Sequence, residues 1–350
     1  MKRNKRTIYE IADIAKVSPA TVSKVLNNRE GVGADVRQRV LEIVERERFV
    51  PKMVLSDTNT IAIIYRGNEA TMSLFHSEYM MHIMRGVSEC VFEHGYHMVL
   101  FPSNIIPKRR DQFSLFCRKN RLAGCIWCNL RCEDTYVQDI SGIIPMAIIN
   151  ASFVGENLYS FCSDDVTGMY EATKYLYSMG HRRISLCSNG LMYEANKNKR
   201  LGYRMALEEL GIDYRTQPEL DLDNFSLLRL SDQFNNLQAN GQTPTALLTF
   251  NDQEAFKMIS LLRLLDLPCP QKISVIGYDD YDYAEMMMPQ LTTVRQQMSD
   301  MGSAAAKVLC GVSSESIDAL REGKNRFVFK PSLIVRNSVR LLNNSEEKTT

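Results

Sequence analysis

From Ile61 onward, apolar runs of five or six residues alternate with longer stretches whose apolar residues recur at helical spacing. The runs are IAIIY (61–65), HMVLF (97–101), GCIWC (124–128), PMAIIN (145–150), RISLC (183–187), TALLTF (245–250) and ISVIG (273–277). The helical stretches lie near 79–94, 111–118, 166–179, 200–210 and 252–264. Continuous rather than alternating apolar runs belong to strands buried on both faces, and buried strands joined by helices make parallel sheets with helices on either side. About 280 residues of this pattern exceed one comfortable core and favour two similar α/β lobes. Such sheets bind ligands at the carboxyl ends of their strands, so two facing lobes make a cleft there. Asp279 follows ISVIG, and Asn251 with Asp252 follows TALLTF, which places all three at strand ends. Carboxylate and amide groups in such a place pair with neighbouring hydroxyls. Asp252 has a second reading as a helix N-cap.

The first fifty residues follow a different rule. Thr7 with Glu10 forms a capping box, and Ile8, Ile11, Ala12 and Ala15 make one apolar stripe, predicting a helix over 8–15. After a tight connection at Lys16–Val17, Ser18 is a second N-cap and Pro19 stands at the first helical position. Val22, Val25 and Leu26 face inward on this second helix, leaving Ala20, Thr21, Ser23, Lys24 and Asn27 outward. A third helix over about 34–48 buries Val36, Val40, Ile43 and Val44. Two short helices joined by a turn and braced by a third form a helix-turn-helix, whose second helix enters the major groove of DNA. The outward residues suit that task. Lys24 donates to guanine O6 and N7, Ala20 touches a thymine methyl, and Thr21, Ser23 and Asn27 bind phosphate oxygens.

Charge is distributed to match. Residues 1–52 hold 12 Lys and Arg against 7 Asp and Glu, a net +5, and because the whole chain is +1 the remainder carries −4. A basic head on a mildly acidic body suggests a nucleic-acid module joined to a unit with another task. The basic N-terminus has no apolar stretch behind it, and no window approaches a membrane span, so a cytoplasmic protein with no membrane partner is expected. The nine cysteines, set mostly inside apolar runs, read as reduced thiols.

On these residues the chain resembles the LacI/GalR family of bacterial transcriptional regulators. The run TIYEIADIAKVSPATVSKVLNN is similar to the family's DNA-binding headpiece, and the similarity continues through VRQRVLEIVERERFVP. Later blocks are SDDVTGMYEATKYLYSMGHRRISLC, PTALLTFND, ISVIGYDD, PQLTTVRQQMSDMGSAAAKVL and PSLIVRNS. The resemblance implies a headpiece over 1–51, a shortened hinge linker over 52–60, a two-lobed periplasmic-binding-protein-like (type I) effector and dimerisation domain over 61–340, and a polar tail over 341–350. It implies operator contacts from Tyr9, Pro19, Ala20 and Lys24, with Thr21, Ser23 and Asn27 fixing the helix on the backbone and Ser18 counted among the DNA-binding residues. The family more often has Arg where Lys24 stands, and Lys lacks the planar guanidinium fork. The linker is several residues shorter than the family's hinge, so Leu55 has two readings, a minor-groove wedge and a residue packed on the neighbouring domain. For the effector pocket the resemblance adds Tyr79, Asn150 where the family often has Asp, and Lys199 where it usually has Arg, with Arg200 beside it.

The function implied is a sequence-specific DNA-binding regulator, a repressor, whose homodimer reads a pseudo-palindromic operator and responds to a small molecule, foremost a sugar, between the lobes. The alternative is a solute-binding protein of the same build without a regulatory role, which the headpiece and the missing leader disfavour. An enzyme is not expected, because no nucleophile elbow, phosphate-binding glycine loop or zinc-protease helix occurs. No cofactor or metal is expected either. Cys125, Cys128 and Cys132 have a spacing that thiolate metal sites use, yet residues 125 and 128 of one strand point to opposite faces. Trp127 reads as core, His181 as a helix-to-strand junction, and Met286–Met288 as packing or subunit surface.

Overall fold

In the computed structural model the chain is described over residues 7–26, 31–47, 49, 59–66, 78–188, 190–222, 226–312 and 325–342. The expectations for Asn27 and Leu55 lie outside these residues, as does most of the 52–60 linker.

Three helices come first: α1 (Ile8–Ala15), α2 (Pro19–Leu26) and α3 (Ala34–Arg46). The capping box of α1 is present, with the Thr7 hydroxyl accepting from the Glu10 amide and the Glu10 carboxylate accepting from the Thr7 amide. Lys16 closes α1 in the left-handed conformation at φ 53°, which makes the turn into α2 short. The Ser18 hydroxyl then caps α2 by accepting from the Thr21 amide at 3.1 Å. Ile11, Ala12, Ala15, Val22, Val25, Leu26, Val40, Ile43, Val44 and Phe49 make one shared core. Val36 is only partly buried against it.

The rest is two α/β lobes. The first uses β1 (Thr60–Tyr65), α4 (Glu78–Glu93), β2 (His97–Pro102), α5 (Arg110–Lys119), β3 (Leu122–Cys128), α6 (Tyr136–Ile140), β4 (Met146–Ile149) and β5 (Leu158–Ser163). The second uses α7 (Asp165–Ser178), β6 (Ile184–Ser188), α8 (Glu194–Glu209), β7 (Glu219–Asp221), α9 (Leu227–Ala239), β8 (Ala246–Thr249), α10 (Asp252–Leu264), β9 (Ser274–Asp279) and β10 (Thr292–Arg295). The chain then returns to the first lobe for α11 (Met298–Leu309) and β11 (Arg326–Phe329), and crosses once more for β12 (Ser332–Ile334). The six-stranded sheets run β11–β5–β4–β3–β1–β2 and β12–β10–β9–β8–β6–β7, and every pairing is parallel except β10 with β12. The chain therefore crosses between the lobes three times.

Each sheet has an apolar layer on both faces. In β3 all seven residues are buried, with Cys125 and Trp127 in one layer and Ile126 and Cys128 in the other. Helices α4 and α11 approach until backbones touch: a Cβ on Gly86 would collide with the Ser299 carbonyl, and one on Gly302 with the Ile83 carbonyl. The helix expected near 200–210 starts at Glu194. Its first turns are polar, so apolar spacing alone missed them, and the earlier start puts Asn196 and Lys199 on the helix facing the neighbouring lobe. His181, fully buried at the junction of α7 and β6, has Nδ1 3.0 Å from Thr245 Oγ1 and Nε2 3.2 Å from the Arg340 carbonyl. Burial pushes its pKa down to about 4, so the ring is neutral.

Candidate nucleic-acid interface and interlobe cleft

Burying Val22, Val25 and Leu26 against α1 and α3 turns the opposite face of α2 outward. Ala20 and Lys24 are exposed there, one turn apart, with Thr21 and Ser23 half-buried beside them. Ser18 is exposed at the start of the helix and Pro19 is half-buried, while Tyr9 projects from α1 with 69% of its surface exposed. The headpiece touches the first lobe elsewhere. Arg118 Nη2 donates to the Leu26 carbonyl at 3.2 Å, and Arg109 pairs with Glu45 at 2.5 Å. A cation at the carboxyl end of α2 opposes the negative end of its dipole. Both contacts leave the Ala20–Lys24 face uncovered.

A cavity of about 390 Å³ lies between the lobes, and five of its polar lining residues come from the carboxyl ends of strands. Asn129 follows β3, Asn150 follows β4, Asn251 follows β8, Asp279 ends β9 and Gln296 follows β10. Asn129, Asn150 and Asp279 have φ of 60°, 57° and 112°, a turn that Asn and Asp tolerate better than most residues. These turns aim the side chains over the sheet ends. They are joined in one hydrogen-bonded line: Asn150 Nδ2 donates to Tyr79 Oη at 3.3 Å and to Gln296 Oε1 at 3.2 Å, and Gln296 Nε2 donates to Asp279 Oδ1 at 2.5 Å. The line runs from the first lobe, through a crossover segment, into the second.

Lys199 lines the same cavity from α8, but it is 4% exposed and its ammonium is engaged inside the protein. Nζ donates to the Phe250 carbonyl at 2.8 Å and sits 3.8 Å from the centre of the Tyr278 ring. Around it stand carboxyl groups that burial pushes upward, Asp165 to about 6 and Glu254 to about 7, with Asp279 raised as well, and the Lys199 charge opposes the rise in each. The Tyr278 hydroxyl donates to Asp165 at 2.9 Å.

Of the residues the sequence pointed to, Tyr79, Asn150, Lys199, Asn251 and Asp279 line this cavity. Arg200 and Asp252 do not. Arg200 follows Lys199 on the helix and so turns to the outer flank, where it pairs with Glu219. Asp252 is fully buried and accepts from the Tyr281 amide at 2.8 Å and the Thr293 hydroxyl at 2.5 Å. It is not the cap of α10 either: Asn251 is, with its Oδ1 accepting from the Glu254 amide at 2.8 Å. The cavity also takes in Asn129, Tyr193, Asn196, Gln253, Tyr281 and Gln296, which sequence reasoning missed. Gln296 follows β10, whose sequence TTVR has one apolar residue and so gave no strand signal.

The lobes are bridged on both sides of the cavity. The Cys132 amide donates to the Met192 carbonyl at 2.9 Å and the Ser152 amide to Glu194 at 2.6 Å, while elsewhere the Asp282 amide donates to Glu78 at 2.9 Å. Among the described residues no helix is long and apolar enough to cross a membrane, and no group of three or more His, Cys, Asp or Glu could hold a metal ion.

Comparison with known proteins agrees with this division. Residues 7–52 match the model of bacterial regulatory proteins of the lacI family, and residues 173–339 match that of the periplasmic binding protein-like domain. Together these segments cover more than half of the chain. The HTH-type transcriptional regulator DegA of Bacillus subtilis (strain 168) is 29% identical over 348 residues, covering 97% of this chain and 99% of its own. The HTH-type transcriptional repressor PurR of Vibrio campbellii is also 29% identical over 348 residues, covering 96% and 99%. Among solved structures, a transcriptional regulator CelR–cellobiose complex is similar in fold, with TM-score 0.68, 24% identity and 95% and 99% coverage. A lac repressor dimer bound to operator and the anti-inducer ONPF gives TM-score 0.64 at 21% identity, covering 96% of this chain and 100% of that one. These relatives are transcriptional regulators rather than enzymes, and the chain belongs to the LacI family of DNA-binding bacterial regulatory proteins.

Proposed function

We propose that this protein is a repressor whose dimer reads a pseudo-palindromic operator through α2 and whose operator affinity is set by an uncharged polyhydroxylated molecule, a sugar or sugar derivative, in the interlobe cavity. The observation that carries the ligand reading is the line Tyr79–Asn150–Gln296–Asp279. Amides and a carboxylate at the ends of strands from both lobes offer alternating donors and acceptors, the pattern that vicinal hydroxyls satisfy. A ligand that takes over these hydrogen bonds touches both lobes at once, and so favours one lobe arrangement over another. Among the described residues the one cation of the lining, Lys199, is turned onto Phe250 and Tyr278, so this part of the cavity has little to offer a phosphorylated or carboxylated ligand. Cellobiose and ribose in solved relatives support the carbohydrate reading.

Dimerisation is supported by an apolar patch on the second lobe. Phe256 and Leu264, two turns apart on α10, are 51% and 73% exposed, and Phe256 lies 6.3 Å from Tyr283, beside Met286 and Met288, which are 75% and 82% exposed. A cluster of exposed apolar side chains of this kind marks an interface. A twofold pairing would give two α2 helices, each reading one half-site.

Selection of bound duplexes from a random library tests the DNA reading, and a two-half-site consensus is the expected result. Lys24→Ala should weaken the selected operator and reduce its salt dependence by about one phosphate or base contact per headpiece. A thermal-shift screen of neutral sugars, sugar phosphates and purines tests the ligand reading. Stabilisation by a neutral sugar that is lost in Asp279→Ala supports it, and stabilisation by sugar phosphates or purines alone overturns it.

A further inference from the structure

The outer flank of the second lobe holds a separate recess of about 160 Å³ between α8, the turn that follows it and the edge strand β7. Among the described residues its charged lining is three guanidinium groups, Arg200, Arg204 and Arg215, and the carboxylate of Glu219. Arg200 and Arg204 are four residues apart on α8 and therefore on one face, where two like charges repel. Glu219 pairs with Arg200 and also accepts from the Ser188 hydroxyl at 3.0 Å. Arg204 and Arg215 both lie over the Tyr214 ring, at 4.5 and 5.9 Å from its centre, and Arg215 is drawn toward Asp213 at 2.9 Å. The Arg200 Nε is buried without a hydrogen-bond partner. Burial first, and then the neighbouring Arg204 charge, lower the Arg200 pKa.

We infer that this recess is a second ligand site, taking a phosphate-type oxyanion between Arg200 and Arg204. Glu219 pairs with Arg200 and Asp213 with Arg215, so among the described residues Arg204 is the cation left over, and an oxyanion against its guanidinium would supply the missing negative charge. Guanidinium forks suit such tetrahedral acceptors better than ammonium groups do. Asn196 and Lys199 of the same helix line the interlobe cavity, so consecutive residues of α8, Lys199 and Arg200, belong to the two sites. The shared chemistry belongs both to free inorganic phosphate and to the phosphoryl group of a metabolite.

Isothermal titration of the full chain with inorganic phosphate and with glycerol 2-phosphate, each against chloride at equal ionic strength, tests the inference. Saturable binding of at least one probe is expected, with about tenfold weaker affinity in Arg204→Gln, as for loss of one charge-assisted hydrogen bond. Glu219→Gln should bind more tightly, because it removes the internal competitor. Both positions lie toward the surface, and unchanged circular dichroism and melting temperature confirm that the variants fold. Tighter binding of the ester identifies a metabolite phosphoryl group, and tighter binding of phosphate identifies the free anion. Absence of saturable binding for both probes, or affinities that neither substitution changes, overturns the proposal.

Discussion

Replacing Lys199 by methionine removes a buried ammonium while keeping most of the side chain's length. The deleted hydrogen bond to the Phe250 carbonyl is charge-assisted and contributes ~1.5–3 kcal/mol. The contact with the Tyr278 ring adds ~0.5–2 kcal/mol. Against both stands the desolvation of the ammonium, several kcal/mol by order of magnitude, which the methionine avoids. These contributions nearly cancel. What remains is the loss of the cation facing Asp165, Glu254 and Asp279, whose pKa values it holds down against burial. Leaving buried carboxylates without that partner destabilises by roughly 3–5 kcal/mol where they are ionised.

The pH dependence separates this account from simple loss of packing. Asp165 at about 6 and Glu254 at about 7 have folded-state values above those of the unfolded chain. Between roughly pH 7 and pH 4 the folded state therefore binds more protons than the unfolded one, and these groups favour folding more as the pH falls. Lys199→Met raises them further, so its deficit should be about 3–5 kcal/mol at pH 8 and distinctly smaller at pH 5. Urea unfolding of both proteins at the two pH values, followed by far-ultraviolet circular dichroism, measures the difference. A deficit that stays the same at both pH values refutes the assignment of Lys199 as counter-charge.

His181 behaves in the opposite sense. Its folded-state value of about 4, against an ordinary 6.5, corresponds to roughly 3 kcal/mol of stability that is present above pH 6.5 and lost as the pH falls toward 4. His181→Gln should be less stable than the parent at pH 7.5 and show a weaker acid transition in a melting-temperature series. Gly86→Ala places a methyl against the Ser299 carbonyl and should lower stability by about 1–3 kcal/mol, outweighing the ~0.4–1 kcal/mol that alanine gains through the unfolded chain; chemical denaturation checks it. Phe256→Glu should convert the dimer to monomer in analytical ultracentrifugation and weaken operator binding by two orders of magnitude or more, since each headpiece then binds alone.

The fold class was legible because its two periodicities are strong. Buried parallel strands such as β3 and β9 read as unbroken apolar runs, and the headpiece announces itself through Thr7, Glu10, Ser18 and Pro19. Strands with polar residues were not legible: β7 (ELD) and β12 (SLI) are three residues long, and β5 (LYSFCS) mixes serine with aromatics. The candidate cleft was half legible. Strand ends pointed to Asn251 and Asp279, but the sequence could not decide which neighbour faces the cavity. Asp252 differs from Asn251 by one position, and Arg200 differs from Lys199 by one position. Lys199 and Arg200 are divided by the rotation of about 100° per residue on α8, and Asn251 and Asp252 by the change from an extended cap to the first residue of α10. Tyr193, Tyr281 and Asn129 sit in turns without periodicity, so no pattern marks them.

Coupling between the interlobe cavity and α2 is read out by titrating the selected operator with the full-length protein, by fluorescence anisotropy, with and without saturating cavity ligand. A change of ~5- to 150-fold in operator affinity is expected, mirrored by the same factor in ligand affinity when operator is present. Identical operator affinity at zero and saturating ligand would contradict the account.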